Sequence, residues 1–322
     1  MELAPGARTI VEVCAGTKRG EKLLILTDTG ISPRIAEALA IAGKAAGAVV
    51  TVMTMSPLSR PGEEPPAMVA AAMTEADVIL SPTTRTLYHS QAAINATAKG
   101  ARLIVLTEMT EQMLISGGIE ADFMALQPRV KRVVEAFAAG ESVHVTSPGG
   151  TDITLKLTGR LPYTCSGICH KPGEKMGFPD IEVFVAPIED QTNGILVIDA
   201  SATAIGLMDA PVTLTIEKGL VKSVEGGRKA AEIRDILEKA GSASAYVVAE
   251  FALGLNDRSH IIGNIIEDEG TYGTGHFALG SNVFFGGANS APIHFDMVYW
   301  HPTVEIDGEL LMQDGILTEQ TE

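Results

Sequence analysis

A chain of 322 residues is long for a single hydrophobic core, and 46% hydrophobic with 20% charged residues excludes a disordered chain, so two folded domains are expected. A net charge of −16 weighs against a nucleic-acid backbone or an anionic membrane surface as partner. Three cysteines (Cys14, Cys165, Cys169) without a spaced framework, no signal-peptide pattern at the start and no apolar run near the roughly 20 residues a bilayer requires point to a cytoplasmic protein with free thiols.

The first part alternates short apolar runs with amphipathic segments. Strands are expected at 22–26, 49–53, 77–80 and 102–106, and helices at 33–48, 66–76 and 90–99, the first opened by the N-capping residue Ser32. Such alternation predicts a parallel sheet with helices on both faces. A helix over 128–139, with Pro128 in its first turn, closes this domain. No G-x-G-x-x-G and no phosphate-binding loop follows any of the strands, which excludes the usual nucleotide sites. Arg85, Tyr88 and His89 lie after the third strand, in an ordinary loop or at the rim of an interdomain cleft.

The pattern changes after Gly140. Strands are expected at 143–145, 151–157, 183–185, 195–198 and 212–216, with hairpin turns at 217–219 and 225–227. A helix over 229–240, a strand over 246–253, a glycine-rich segment and a last hairpin over 304–311 complete the chain. The fold class is thus α/β plus α+β: an N-terminal parallel-sheet α/β domain, 1–140, followed by a strand-rich α+β metal-binding domain, 141–322.

The metal-binding expectation rests on a few residues. Between Glu269 and Asp296 one short stretch carries an acid, His276, His294 and a second acid, types that bind divalent ions. In an extended chain, residues two apart share a side, so the imidazole of His294 and the carboxylate of Asp296 converge. Six glycines between positions 270 and 289 let the backbone turn tightly around a site. Glu250 is the lone charge in the apolar run 243–254, either satisfied by a cation or placed on a wet strand face. Glu182, between Pro179 and Pro187, poses the same alternative. The triplet Glu267, Asp268, Glu269 reads as a solvated turn, and Cys165, Cys169 and His170 as free groups without a second zinc-binding pair.

The segments 178–187 around Glu182, 249–256 around Glu250, 268–280 around His276 and 287–296 ending in His294 and Asp296 resemble the thermophilic metalloaminopeptidase family of aminopeptidases T and S. The resemblance implies two divalent ions (zinc, cobalt or manganese) held by Glu182, Glu250, His276, His294 and Asp296, with Glu269 a further ligand or catalytic group. It implies a hydrolase, with Glu250 or Glu269 as proton carrier to a metal-activated water and Tyr272 near the oxyanion, cleaving the amino end of a small peptide or an amino-acid amide. It also implies a homo-oligomer, with the site in the second domain facing a cleft against the first. Ile181 departs from the family, which has glycine there. The dihydroxypyridine dioxygenases are similar through 212–219, 225–227 and the His294-x-Asp296 end, and they imply the alternative: one ferrous ion and ring cleavage of a hydroxylated pyridine. In that alignment a histidine ligand falls at Glu250; His276, His294 and Asp296 together would still make two histidines and a carboxylate. A metal-stabilised binding protein without catalysis is the third reading.

Overall fold

The computed structural model describes residues 2–319. The chain divides into two compact units, one of Met1–Leu126 with Cys165–Asp180 and the other of Gln127–Thr164 with Ile181–Glu322. The division does not fall at a single break after residue 140. The helix Gln127–Ala139 belongs to the second unit, and the chain later returns to the first.

The first unit holds a five-stranded parallel sheet in the order Val49–Met55, Lys22–Asp28, Val78–Ser81, Arg102–Val105, Lys175–Gly177. Its central strands are buried along nearly their whole length, as continuous apolar runs in a parallel sheet require. The helices Pro33–Ala45, Ala67–Glu75 and Gln91–Ala98 alternate with them as the sequence predicts, to within a few residues at each end. Ser90 caps its helix by accepting the Ala93 N–H at 3.2 Å. Ser32 precedes its helix without capping it, because its hydroxyl donates to Glu111 at 2.6 Å instead. Arg85 pairs with Glu108, and the Tyr88 ring lies under the Lys175 ammonium. The fifth strand was not predicted: three residues with one buried side chain are too short to show a period. The opening helical stretch, Ala4–Arg8 continued by a π-helical Thr9–Cys14, was also not predicted.

The second unit is built on two sheets. The larger has the order Leu220–Gly226, Val212–Glu217, Asn193–Ile198, Asp152–Lys156, Ser142–Thr146, Thr303–Ile306, Glu309–Gln313, Ile316–Leu317. Two of its hairpins turn where expected. Lys218 and Gly219 both have positive φ, as do Asp307 and Gly308, the conformation that matches the twist of paired strands. A Cβ on Gly219 would sit 1.6 Å from the Glu189 carbonyl, so no other residue fits. The predicted hairpin at 225–227 is absent. Gly226 ends a strand, and Gly227 begins the helix Arg228–Lys239.

The smaller sheet carries the acids and histidines. Its order is Gly206–Leu207, Ser201–Ala202, His294–Trp300, Thr274–Gly280, Val248–Gly254, Glu182–Val185, Tyr163–Cys165. Four of these strands interleave two faces of opposite character. One face stacks Phe251, Phe277 and Tyr299 in series, and Phe137 of the helix Gln127–Ala139 extends the stack at 5.4 Å from Phe251. These rings are fully buried and form the core of this layer. The other face is polar and small-residued. No helix among the described residues is long and apolar enough to cross a membrane.

Candidate metal centre

Strand register decides which side chains meet. Ala252 is opposite His276 on one side and Phe184 on the other, Glu250 is opposite Ala278, and Glu182 is opposite Gly254. Ala278 is in turn opposite Asp296, and Gly280 is opposite His294. Side chains at paired positions share a face. Glu182, Glu250, His276, His294 and Asp296 therefore project from one face, separated by alanines and glycines that leave room between them. A bulge at the step from Val248 to Glu250 interrupts the ladder beside the site, a position where bulges commonly aim functional side chains.

The five residues expected as ligands are brought together. His276 Nε2 lies 3.2 Å from Glu182 Oε2 and 3.8 Å from Glu250 Oε1. His294 Nε2 lies 3.0 Å from Glu250 Oε2 and 3.1 Å from Asp296 Oδ1. Among the described residues, potential ligand atoms of these five side chains and Glu269 converge to within 4.8 Å of one another in overlapping groups: Glu182, Glu250 and His276; Glu250, His294 and Asp296; and Glu269, His276 and Asp296. Glu250 is common to the first two. The triad of His276, His294 and Asp296 is not one of these groups. Glu269, at the end of the short helix Ile265–Asp268, joins them as a further donor. Tyr272 does not share their arrangement: its hydroxyl accepts the Leu317 N–H at 3.0 Å, and the Arg129 guanidinium covers its ring, so it serves the C-terminal hairpin.

The electrostatics are those of a buried, strongly coupled cluster. Burial pushes the Glu182 carboxyl up, with His276 opposing. For Glu250 burial acts in the same direction, but the two imidazoles beside it win and hold its carboxyl below the usual range. Burial disfavours the charged form of both histidines, yet the surrounding carboxylates hold each well above the ordinary imidazole range. Asp296, opposed by burial and drawn down chiefly by His294, falls to about 2. Three carboxylates and two imidazoles in so little water are satisfied either by protons on the histidines or by a cation.

Several features fit a divalent ion. The buried Glu182 Oε2 has the His276 Nε2 at 3.2 Å as its polar neighbour but makes no well-aligned hydrogen bond, so it stays available as a donor to a cation. His294 Nδ1 donates to the Ser281 carbonyl at 2.8 Å, which leaves Nε2 of the neutral ring as the acceptor nitrogen facing Glu250 and Asp296. Asp296 Oδ2 accepts from the Thr203 hydroxyl at 3.2 Å, and the Thr203 hydroxyl also accepts the Asp296 N–H at 3.1 Å, so the carboxylate is held in place. Mixed carboxylate and imidazole donors suit iron, manganese, cobalt or zinc in the divalent state. The His294 side chain is 35% exposed while those of Glu182, Glu250 and His276 are almost closed, so the centre opens at His294.

Sequence reasoning missed Thr203 and Ser281. Thr203 is 93 residues from Asp296 and reaches it only because Ser201–Ala202 pairs with His294–Trp300. The acidic triplet was also misread. Glu267 and Asp268 are buried, and Asp268 accepts the N–H groups of Ile262 and Gly263 at 2.7 and 3.0 Å, holding the loop before its helix. The three cysteines are buried, and burial pushes the Cys169 thiol up to about 12.

Comparison with known proteins places this centre in context. A profile of the 2,5-dihydroxypyridine 5,6-dioxygenase family matches residues 6–319. A 2,5-dihydroxypyridine 5,6-dioxygenase of Pseudomonas putida KT2440 is 25% identical over 258 residues, covering 76% of this chain and 71% of that protein. The solved 2,5-dihydroxypyridine dioxygenase from Pseudomonas putida KT2440 superimposes with a TM-score of 0.84 at 20% identity, over 99% of this chain and 97% of that one. AmpT from Thermus thermophilus superimposes with a TM-score of 0.74 at 16% identity, over 99% of each chain. Both superpositions report a shared fold, and the expected pairing of a parallel α/β sheet with antiparallel sheets is that fold. The expected activity is corrected: the family match overturns the reading of an aminopeptidase-type hydrolase or metalloprotease. Over nearly its full length, this chain belongs to the 2,5-dihydroxypyridine 5,6-dioxygenase family.

Proposed function

We propose that the chain is an oxygen-dependent, ring-cleaving enzyme acting on a hydroxylated pyridine-like ring, with a single ferrous ion held by Glu250, His294 and Asp296. The observation that carries this reading is the convergence of those three donors on the open side of the cluster, in a chain matched to the dioxygenase family across residues 6–319. The three offer one imidazole and two carboxylates, with Glu250 where the dioxygenase resemblance expects a second histidine. Ferrous iron bound there supplies the one-electron chemistry by which dioxygen reacts with an electron-rich ring. The chain's own residues do the rest. Ser281 fixes the His294 tautomer, and Thr203 orients Asp296. His276 and Glu182, paired at 3.2 Å in the closed part of the cluster, hold a proton between Nε2 and Oε2 for transfer during ring opening. The buried thiols of Cys14 and Cys169 suit a reducing, cytoplasmic compartment, which also keeps iron ferrous.

The position of Glu250 in two converging groups favours a second reading of occupancy, in which Glu182, Glu250 and His276 take a further divalent ion (zinc, cobalt or manganese). Elemental analysis after anaerobic reconstitution decides between them. One iron per chain, with oxygen uptake on 2,5-dihydroxypyridine, is the expected result. Two ions per chain, or no oxygen uptake across a panel of hydroxylated pyridines, would overturn the single-iron dioxygenase.

A further inference from the structure

An aromatic cluster borders the open side of the metal centre. Phe285 meets the His294 ring edge to face at 5.8 Å. Phe184 meets Phe285 edge to face at 5.4 Å, and Tyr163 lies nearly parallel to Phe184 at 5.9 Å. The sheet produces this arrangement directly. Glu182 and Phe184 are two apart on one strand, so the strand that brings a donor to the cluster also brings a ring to its margin. Tyr163, on the strand that edges the same sheet, keeps 42% of its surface exposed. Thr164 anchors that edge by donating to the Glu182 carbonyl at 2.7 Å.

The loop bearing Phe285 is held as firmly. Glu189 accepts from Asn282 Nδ2 at 3.1 Å, from the Ala288 N–H at 2.6 Å and from Arg160 at 2.5 Å. Arg160 also donates to the Gly286 carbonyl. Asn282 in turn accepts the Asn289 N–H at 2.8 Å. A Cβ on Gly287 would sit 1.9 Å from Asn282, so this closed loop requires glycine there. A chain of rings this well supported, partly exposed and ending on the one accessible metal-binding imidazole is a preorganised apolar surface for a flat ligand.

We infer that Tyr163, Phe184 and Phe285 form the substrate platform, on which a planar hydroxylated heteroaromatic ring stacks with its hydroxyl directed to the ion-binding side of His294. The inference rests on the proposed ring-cleaving function and adds the residues that select a flat ring over a puckered one. Face and edge contacts with aromatic side chains reward planarity and polarisable π surface. A saturated ring of the same size keeps the hydroxyl but loses those contacts.

The test is anaerobic calorimetric titration of ferrous-reconstituted protein with 3-hydroxypyridine and with tetrahydropyran-3-ol, its neutral saturated counterpart. Wild-type protein is expected to prefer the planar ring by about ten-fold, and Tyr163→Leu and Phe184→Leu each to weaken 3-hydroxypyridine by roughly ten-fold. The saturated ring, the iron content and the melting temperature should not change, and Phe184→Tyr should restore the preference. Tyr163 is exposed enough that its leucine variant tests the platform even if Phe184→Leu folds poorly. No planar preference in the wild type, unchanged ring affinity in the leucine variants, or an equal loss for both ligands would overturn the platform. Oxygen uptake with 2,5-dihydroxypyridine is measured alongside. Uptake that persists undiminished in the leucine variants sinks the platform and leaves the dioxygenase standing. Planar preference without any oxygen uptake sinks the dioxygenase and leaves the platform.

Discussion

Thr203 has the simplest role of any residue around the centre. Its hydroxyl both donates to the Asp296 carboxylate and accepts the Asp296 N–H, so it fixes the angle at which the carboxylate presents its other oxygen. Supporting groups of this kind commonly contribute 10–100-fold to metal affinity. Thr203→Val, which keeps the shape and removes the hydroxyl, is expected to weaken ferrous binding by about ten-fold while leaving the fold intact. Competition with a chelator of known affinity checks this, and unchanged affinity would show that Asp296 needs no such support. The contrast with Tyr272 is instructive. Both residues carry hydroxyls near the acids in sequence or space, but Tyr272 is committed to the backbone of Leu317.

At the scale of elements, the strands Val248–Gly254, Thr274–Gly280 and His294–Trp300 each serve two ends. Alternation puts Glu250, His276 and Asp296 on one face and Phe251, Phe277 and Tyr299 on the other. The aromatic face supplies the burial that holds a costly polar face in place. Phe251→Ala is therefore expected to destabilise the protein by about 3–5 kcal/mol, the usual cost of emptying a buried phenylalanine site. Denaturant titration measures that loss. Iron bound per folded chain should stay near the wild-type value, since no ligand is removed; a variant that keeps its stability but loses iron would show that the two faces are not independent.

For the whole molecule, the protonation of the cluster is linked to stability, and the proposed ion would join that linkage. In the metal-free protein the carboxylates hold His276 and His294 protonated well above the ordinary imidazole range. A histidine whose folded pKa is raised stabilises the fold fully below the unfolded value of about 6.5, and that contribution is lost as pH rises through the folded value. A metal ligand must be the neutral imidazole, so metal uptake expels protons and strengthens as pH rises. Adding ferrous ion to weakly buffered metal-free protein at neutral pH should therefore acidify the solution. Removing the ion should lower the melting temperature, and by more at pH 8 than at pH 6, because the ion pairs that replace it are then failing. A free ion concentration of 100 times Kd corresponds to about 2.7 kcal/mol of stabilisation. Metal uptake without proton release would mean that His294 is not a ligand.

Local signals in the sequence determined much of this. Continuous apolar runs and intervening amphipathic segments specify the parallel sheet of the first unit, because period and burial are written in neighbouring residues. The spacing of His294 and Asp296 identified a convergent pair, since an extended strand obliges residues two apart to share a side. The lone charges of Glu182 and Glu250 in apolar contexts were readable either as groups requiring compensation or as acids on a wet strand face, and their burial decides for the first. What only the tertiary structure decided depends on strand order and register. These place Glu182 opposite Gly254, bring Thr203 to Asp296 across 93 residues, and return Lys175–Gly177 to the first sheet. They also buried Asp268 as a backbone acceptor and committed Tyr272 to Leu317. Pairings between distant segments have no local signature, because the hydrogen bonds that fix a register belong to two strands at once.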